Sequence, residues 1–290
     1  MRRRIFRWSS GMIVVSLFSI AGTAGQHDKP SAVDHPELAE ILAHCADYCR
    51  KLENAVLDFI CQEKIREEIF RPSIIEVEMR NKFVRERDQA IVSKRVARNE
   101  FVYDYQLIRK EGETSERRTL VRENGRNADE KNAQLKTSGC TYKNIIFSPI
   151  VLLGEKWQRK HDYKVLREES ALGKRALVIQ VTPKPDEWLG YLYGTVWVAQ
   201  EDSAILKIEW AQESIGNYGE LELSALNLGI KPDIILSGDY NCQKNGIRFP
   251  SAFSVSVACR YAPKTEITLY KLAVAFTAYK FFTVETEVKY

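Results

Sequence analysis

From Phe59 almost to its end, the chain alternates apolar and polar residues in short runs that are separated by turn residues. Residues 253–257, for example, read Phe-Ser-Val-Ser-Val. Successive side chains of a strand point to opposite faces, so this pattern buries one face of a sheet and leaves the other in water. Short, numerous strands with tight turns indicate antiparallel pairing. We therefore expect an α+β protein that is mainly β.

One amphipathic helix precedes the strand region. Between Glu37 and Asp58 the spacing of the apolar residues is close to the helical period of 3.6, which predicts a single buried stripe. These residues are Leu38, Ile41, Leu42, Cys45, Cys49, Leu52, Val56 and Phe59. A second short helix is predicted from Ser148 towards His161. Both helices are expected to cover one face of the sheet.

Two hairpins can be placed in register. Asn245-Gly246 is a strong hairpin signal because both central residues of the turn accept positive φ. This turn places Cys242 opposite Phe249. A further run, residues 219–227, also alternates and predicts a strand.

The other hairpin turns between Asp202 and Ser203. An even register pairs Trp197 with Ile208 and gathers the apolar residues on one face. A slip of one residue would set Trp197 against Lys207, so the apolar pattern favours the even register.

The first 25 residues have the order of a secretory signal. Four arginines precede the apolar run Gly11–Ile20, and small residues follow it. The apolar run is about half of the ~20 residues that a membrane-spanning helix needs. We expect cleavage near Ala24 or Gly25, a mobile lead over residues 26–35, and one domain over residues 36–290 in the periplasm or outside the cell.

The charge of the chain does not imply an electrostatic partner. The whole chain has a net charge of +4, but residues 1–25 hold four arginines and no acid. The mature chain is therefore neutral, whereas proteins that bind the phosphate backbone of nucleic acids carry a clustered basic excess. No nucleic acid is expected as a partner, and no membrane anchor is expected after cleavage.

Six cysteines lie in a chain that is expected in an oxidising compartment, where disulfides persist. The first choice of pair is Cys49 with Cys61, which would join the helix to the strand that follows it. No Cys-x-x-Cys pair occurs, so neither a metal nor another cofactor is predicted.

Three stretches together resemble the bacterial outer-membrane lipoprotein-sorting, or lipoprotein carrier, superfamily. They are Tyr193–Glu209, Gly246–Ser251 and Tyr279–Glu285. The resemblance implies a strongly curved antiparallel sheet, an open half-barrel, with the two helices on its concave face and an apolar cavity between them. Relatives of this type bind lipids, lipid-modified proteins or other hydrophobic partners, and some act as sensors.

On this basis we expect an exported envelope protein that binds a hydrophobic ligand, such as a lipid or acyl chain, or a lipidated protein. The candidate lining residues are Trp157, Tyr193, Trp197, Ile208, Trp210, Phe253 and Val255, although each of them also fits a plain core. One alternative is a structural or sensory envelope module with a packed core and a protein partner. Another is a hydrolase with dispersed catalytic residues, but no catalytic motif is present and no enzyme is expected.

Cleavage is directly testable on protein purified from its own envelope. Intact mass spectrometry is expected to give a chain that begins at Gly25 or Gln26, because small residues stand before that bond. A mass that retains the four N-terminal arginines would contradict the predicted signal.

Overall fold

The fold is taken from a computed structural model that describes residues 13–15, 38–55, 59–80, 85–110, 113–185, 192–227, 230–262 and 265–282. The strands are β1 Ile13–Val15, β2 Phe59–Arg80, β3 Arg85–Lys110, β4 Glu113–Glu123, β5 Arg126–Lys131, β6 Cys140–Tyr142, β7 His161–Ala171, β8 Lys174–Pro183, β9 Gly194–Ala199, β10 Ile205–Trp210, β11 Lys231–Asp239, β12 Cys242–Lys244, β13 Ile247–Phe249, β14 Ala252–Ala262 and β15 Thr265–Phe281. The helices are α1 Leu38–Ala55, α2 Ser148–Leu153, α3 Glu155–Gln158 and α4 Tyr218–Leu226. The predicted lead, and the predicted signal apart from β1, lie outside the described residues.

Eleven strands form one sheet in the order β5-β4-β3-β2-β15-β14-β11-β10-β9-β8-β7. Every neighbouring pair in it is antiparallel. The predicted mainly β, antiparallel architecture is therefore confirmed. The last strand, β15, pairs with β2, so the two ends of the strand region meet in the middle of the sheet.

One face of this sheet carries the core, and we call it the covered face. A single row of aligned residues crosses eight strands on this face, and every member is buried. The row is Ile179, Val196, Ile208, Gly238, Phe253, Val274, Ile65 and Phe101. Such continuity explains the period-two alternation of the sequence, since each strand contributes every second residue to one apolar surface.

The row contains one glycine because a neighbouring ring needs the space. A Cβ built on Gly238 would lie 2.9 Å from Cη2 of Trp210. The ring of Trp210 also meets that of Phe253 edge-on, with the centroids 5.7 Å apart. Gly238 therefore allows the indole to lie flat over β11.

The covered face is closed by α1 and by one long connection. Residues 132–160, which we call the crossing segment, lead from β5 at one edge of the sheet to β7 at the other. They include β6, α2 and α3, and α1 packs on both of these helices. Helix α1 buries Cys45, Tyr48, Cys49 and Leu52, which lie on one helical stripe. The two predicted helical regions are thus confirmed.

Residues 219–227 were predicted as a strand, but α4 occupies them. Tyr218 and Ala225 are the buried residues, and their spacing of seven fits two helical turns. The Glu-Leu-Glu-Leu alternation is only four residues long, and the segment contains no β-branched residue. Its helix-favouring composition therefore outweighs the short alternation.

The two hairpin registers have opposite outcomes. Cys242 lies opposite Phe249, as predicted from the Asn-Gly turn. In the other hairpin, however, Trp197 lies opposite Lys207, so the predicted pairing of Trp197 with Ile208 is wrong by one residue.

The turn pairs Val198 with Ile205, two residues from the predicted register, and a bulge between Ile205 and Lys207 then adds one residue, which leaves Trp197 one residue out. The apolar pattern could not detect the bulge because Trp197 is buried on the opposite face of the sheet. Its indole donates a hydrogen bond to Glu169, and the Lys207 ammonium lies 4.7 Å from the ring centroid. These two charged side chains cover the ring.

No disulfide joins Cys49 and Cys61, because all six cysteines are free thiols. The Cys49 thiol donates a hydrogen bond to the carbonyl oxygen of Pro149 in α2, at 3.3 Å, whereas Cys61 lies on β2. The predicted bond is therefore absent. Burial raises the pKa of Cys45 to about 12 and that of Cys259 to about 11, so these thiols stay protonated and weakly nucleophilic.

Replacing Gly238 by valine should destabilise the protein, because the new side chain would meet the buried Trp210 ring. Overpacking of this kind costs about 1–3 kcal/mol in the free energy of unfolding, measurable by urea titration. Gly219→Ala is the matched control, since an added Cβ there meets no atom within 4 Å. Equal stability of the two variants would contradict the close contact between Trp210 and Gly238.

Candidate functional site

Four of the predicted lining residues lie together on the covered face. Ile208, Trp210, Phe253 and Val255 are all buried there, in strands β10 and β14. The ring of Tyr142, from β6, packs over Phe253 with the centroids 4.9 Å apart. The crossing segment therefore contacts this apolar surface directly.

The other three predicted lining residues lie elsewhere. Trp157 in α3 and Tyr193 before β9 are half-buried at the margin of the core. The ammonium groups of Lys156 and Lys160 lie 5.8 and 5.5 Å from the Trp157 ring centroid. Trp197 is on the opposite face of the sheet, so the structure does not bring it to the others.

Sequence reasoning missed a buried polar cluster on the same covered face. Glu63, on β2, accepts two hydrogen bonds from the Arg118 guanidinium at 2.7 and 3.1 Å. It also accepts one from the Tyr142 hydroxyl at 2.9 Å. Glu63 is completely buried, so the ion pair is shielded from water and salt.

The same guanidinium reaches a second carboxylate. Arg118 donates to Glu116 at 2.8 Å, and the Tyr105 hydroxyl donates to Glu116 at 3.0 Å. The backbone N–H of Asn144 donates to it at 2.7 Å. Glu116 thus fixes the crossing segment just beyond β6.

A third carboxylate holds the same segment closer to its start. Glu67, also completely buried, accepts hydrogen bonds from the backbone N–H groups of Ser138 and Gly139 at 2.7 and 3.0 Å. The side chains of Ser138, Tyr270 and Asn99 supply three more, at 3.1, 3.0 and 2.8 Å. These five hydrogen bonds offset the cost of burying the Glu67 carboxylate. Among the described residues, no cation forms a salt bridge with it.

The electrostatics of the cluster favour one fixed protonation state for its donors. Burial lowers the pKa of Arg118, but the charges of Glu63 and Glu116 outweigh this effect and leave the pKa well above its ordinary value. Burial, followed by the charge of a neighbouring carboxylate, raises the pKa of Tyr105 and of Tyr142 well above the usual range. The guanidinium stays charged and both phenols stay protonated, so the cluster serves attachment.

A signal for this cluster was present in the sequence. Residues 59, 61, 63, 65 and 67 share one face of β2, and they read Phe-Cys-Glu-Ile-Glu. Two acids on an otherwise apolar strand face indicate buried carboxylates with dedicated partners. Their partners could not be inferred, because Arg118 is 55 and Tyr142 is 79 residues away from Glu63.

The two described histidines have different surroundings. His44 is exposed on α1, and the buried His161 ring donates to the carbonyl oxygen of Trp157 at 2.9 Å. Among the described residues, no three His, Cys, Asp or Glu side chains cluster so that they could hold a metal ion. Nor does this part of the chain contain a helix long and apolar enough to cross a membrane.

The face of the sheet opposite the core carries an open polar groove of about 340 Å³. Asp104, Arg117 and Lys131 contribute its charges, and it lies where β5 ends. Its polar lining differs from the apolar surface that a hydrophobic ligand would need.

Strand β6 has an unusual neighbour. It pairs in parallel with β1, with Ile13 opposite Cys140, Val14 opposite Thr141 and Val15 opposite Tyr142. These two strands form a separate sheet, and within the described chain β6 pairs with β1 alone. Three residues of the predicted signal thus pair with a strand of the crossing segment.

No family model matches the sequence, and no curated protein matches it. The chain is similar to solved structures at low identity. A DUF1329 family protein from Desulfovibrio piger is 11% identical, with a TM-score of 0.38, over 84% of this chain and 92% of that one.

A putative outer membrane lipoprotein-sorting protein domain from Vibrio parahaemolyticus is also 11% identical, with a TM-score of 0.35, over 85% of this chain and 94% of that one. A LolA superfamily protein from Nitrosomonas europaea is 11% identical, with a TM-score of 0.30 and the same two coverages.

Arg118→Met should lower the free energy of unfolding by about 3–5 kcal/mol, because it leaves Glu63 and Glu116 buried without their cation. The double variant Glu63→Leu/Arg118→Met should recover part of this loss in stability, since it removes one of the two uncompensated carboxylates. Arg50→Met, at the exposed ion pair with Asp47, is the matched control and should change stability little. Urea titration measures all three, and additive losses in the double variant would contradict the coupling.

Proposed function

We propose that this chain is an exported envelope protein that binds a hydrophobic ligand, or a lipidated partner, between the sheet and its covering layer. The observation that carries the proposal is the pairing of β1 with β6. Residues 13–15 belong to the apolar run of the proposed signal, so cleavage near Ala24 or Gly25 removes them. The mature protein then lacks the strand that pairs with β6, and β6 itself packs on the covered face through Tyr142.

The nature of the remaining cover supports this proposal. Its attachment over β2, β3 and β4 depends on hydrogen bonds to Glu63, Glu67 and Glu116, which are specific in geometry. Polar attachments of this kind keep a cover in place without filling the apolar surface beside it. A hydrophobic ligand can therefore occupy the space next to β6 while the crossing segment stays fixed.

The proposed site comprises the four predicted residues on the covered face, with Tyr142 at their border. Trp157 and Tyr193 would form its margin. No charged side chain stands among the four, as expected for a site that accepts acyl chains. No catalytic step and no cofactor is part of this proposal.

A second candidate function is a sensory or structural module that binds another protein. Two observations favour it: the four residues are buried in the full-length chain, and large apolar side chains are exposed elsewhere. Leu223 and Leu226, on α4, are 65% and 63% exposed, and Ile235 on β11 is 56% exposed. Exposed apolar side chains of this size can mark a protein interface.

The test is native mass spectrometry of the mature protein, residues 26–290, purified from its own envelope, followed by organic extraction. A stoichiometric lipid or acyl chain is expected, because mature protein would carry cargo on the apolar surface of the covered face beside β6. A fluorescent fatty-acyl probe should then bind the delipidated protein. A clean apo mass with no probe uptake would refute the carrier function and favour the protein-binding module.

The residue-level control uses a pair of variants of equal size. Val255→Thr replaces a methyl group by a hydroxyl on the proposed apolar surface and should weaken probe uptake, whereas Val96→Thr makes the same change at an exposed position and should not. Circular dichroism checks that both variants are folded. Equal probe affinities of the two folded variants would place the ligand away from the covered face.

A further inference from the structure

Strand β6 offers a backbone edge as well as apolar surroundings. In the full-length chain three consecutive residues of β1 pair with it in parallel. Pairing of this kind uses N–H and C=O groups on the facing edge of β6. Loss of β1 would leave these groups without their partners, and unpaired backbone groups next to buried residues are costly.

The side chains of β6 explain why its edge is kept in a fixed position. Cys140 and Tyr142 are fully buried, and the hydroxyl of Tyr142 is tied to Glu63. Thr141 is half-buried, and strand alternation turns it to the other side. The strand is therefore held by its two flanking side chains while its edge faces β1.

The lead that remains after cleavage is a poor replacement for β1. The lead and the two residues that follow it, residues 26–37, are polar, contain two prolines and have valine as their one β-branched apolar residue. Proline cannot donate to a strand ladder, and such a composition has low strand propensity. The segment that fits, by contrast, reads Ile-Val-Val.

We infer that the edge of β6 is a strand-addition site, which binds an extended, β-branched apolar segment of a partner polypeptide in parallel with Cys140–Tyr142. In the uncleaved chain, residues 13–15 occupy this site in place of the partner segment. An acyl chain cannot satisfy the backbone groups of the edge, so the occupant is a peptide. The inference rests on the proposed export and cleavage.

The experiment uses mature protein and a synthetic peptide of residues 11–17, with a fluorescent label and added lysines for solubility. Fluorescence anisotropy should show saturable binding. Three further peptides carry a single backbone N-methyl group at residue 13, 14 or 15, which blocks a strand hydrogen bond but keeps the side chain. At least one of them should bind about tenfold more weakly, which corresponds to the loss of about one backbone hydrogen bond.

On the protein side, Thr141→Pro removes the backbone N–H of the middle residue of β6 and fixes its φ, which disrupts the ladder, while Thr141→Val keeps the backbone and is the matched control. The proline variant should bind the peptide more weakly by a similar factor, and the valine variant should bind it with unchanged affinity. Binding that is equal for all four peptides would overturn the inference, because it would depend on apolar contact alone. So would equal affinity of the two variants, or no saturable binding by folded mature protein.

The fatty-acyl probe, measured on the same sample, separates this inference from the proposed function. Probe uptake without peptide binding overturns the strand-addition site and leaves the carrier function standing. Peptide binding that is sensitive to N-methylation, without probe uptake, supports the site and moves the function to the protein-binding module.

Discussion

Two buried carboxylates on the central strand β2 hold the crossing segment against the sheet. Glu63 reaches Tyr142 and Arg118, and Glu67 accepts two backbone N–H groups from Ser138 and Gly139. The segment must pass from one edge of an eleven-stranded sheet to the other, and few apolar residues precede β6 in it. Hydrogen bonds with defined geometry therefore set where the cover begins, and β6, α2 and α3 follow from that starting point.

The cover consequently has two kinds of attachment. Over β2, β3 and β4 it is polar and specific, and a single change such as the loss of Arg118 leaves uncompensated charge in the interior. Towards α1 and α2 it is apolar, with Cys49 and Leu52 buried in the helix layer. Between these two regions lie Phe253 and Trp210, and this is where β6 meets its parallel neighbour.

The sequence predicted those features that depend on local pattern. Alternation indicated the antiparallel sheet, the apolar stripe indicated α1, and the Asn-Gly turn set the pairing of Cys242 with Phe249. The register of Trp197 failed because a bulge is invisible to an apolar pattern when both faces of a strand are buried. The polar cluster was missed because its members come from β2, β4 and the crossing segment, and their pairing is a property of the tertiary fold. Sequence analysis found Ile208, Trp210, Phe253 and Val255 because each is apolar and occupies an alternate strand position that faces the core.

The pairing of β15 with β2 has a consequence for how the chain reaches its fold. The Tyr270 hydroxyl donates a hydrogen bond to Glu67 across 203 residues, so β2 lacks one of its two neighbours until β15 has been made. Contacts between distant parts of a chain form slowly, because a long loop must close before any contact compensates the lost entropy. A nascent chain of this design cannot complete its sheet early. The central strand β2 therefore gains its second neighbour only when β15 is available, after the local hairpins can already have formed.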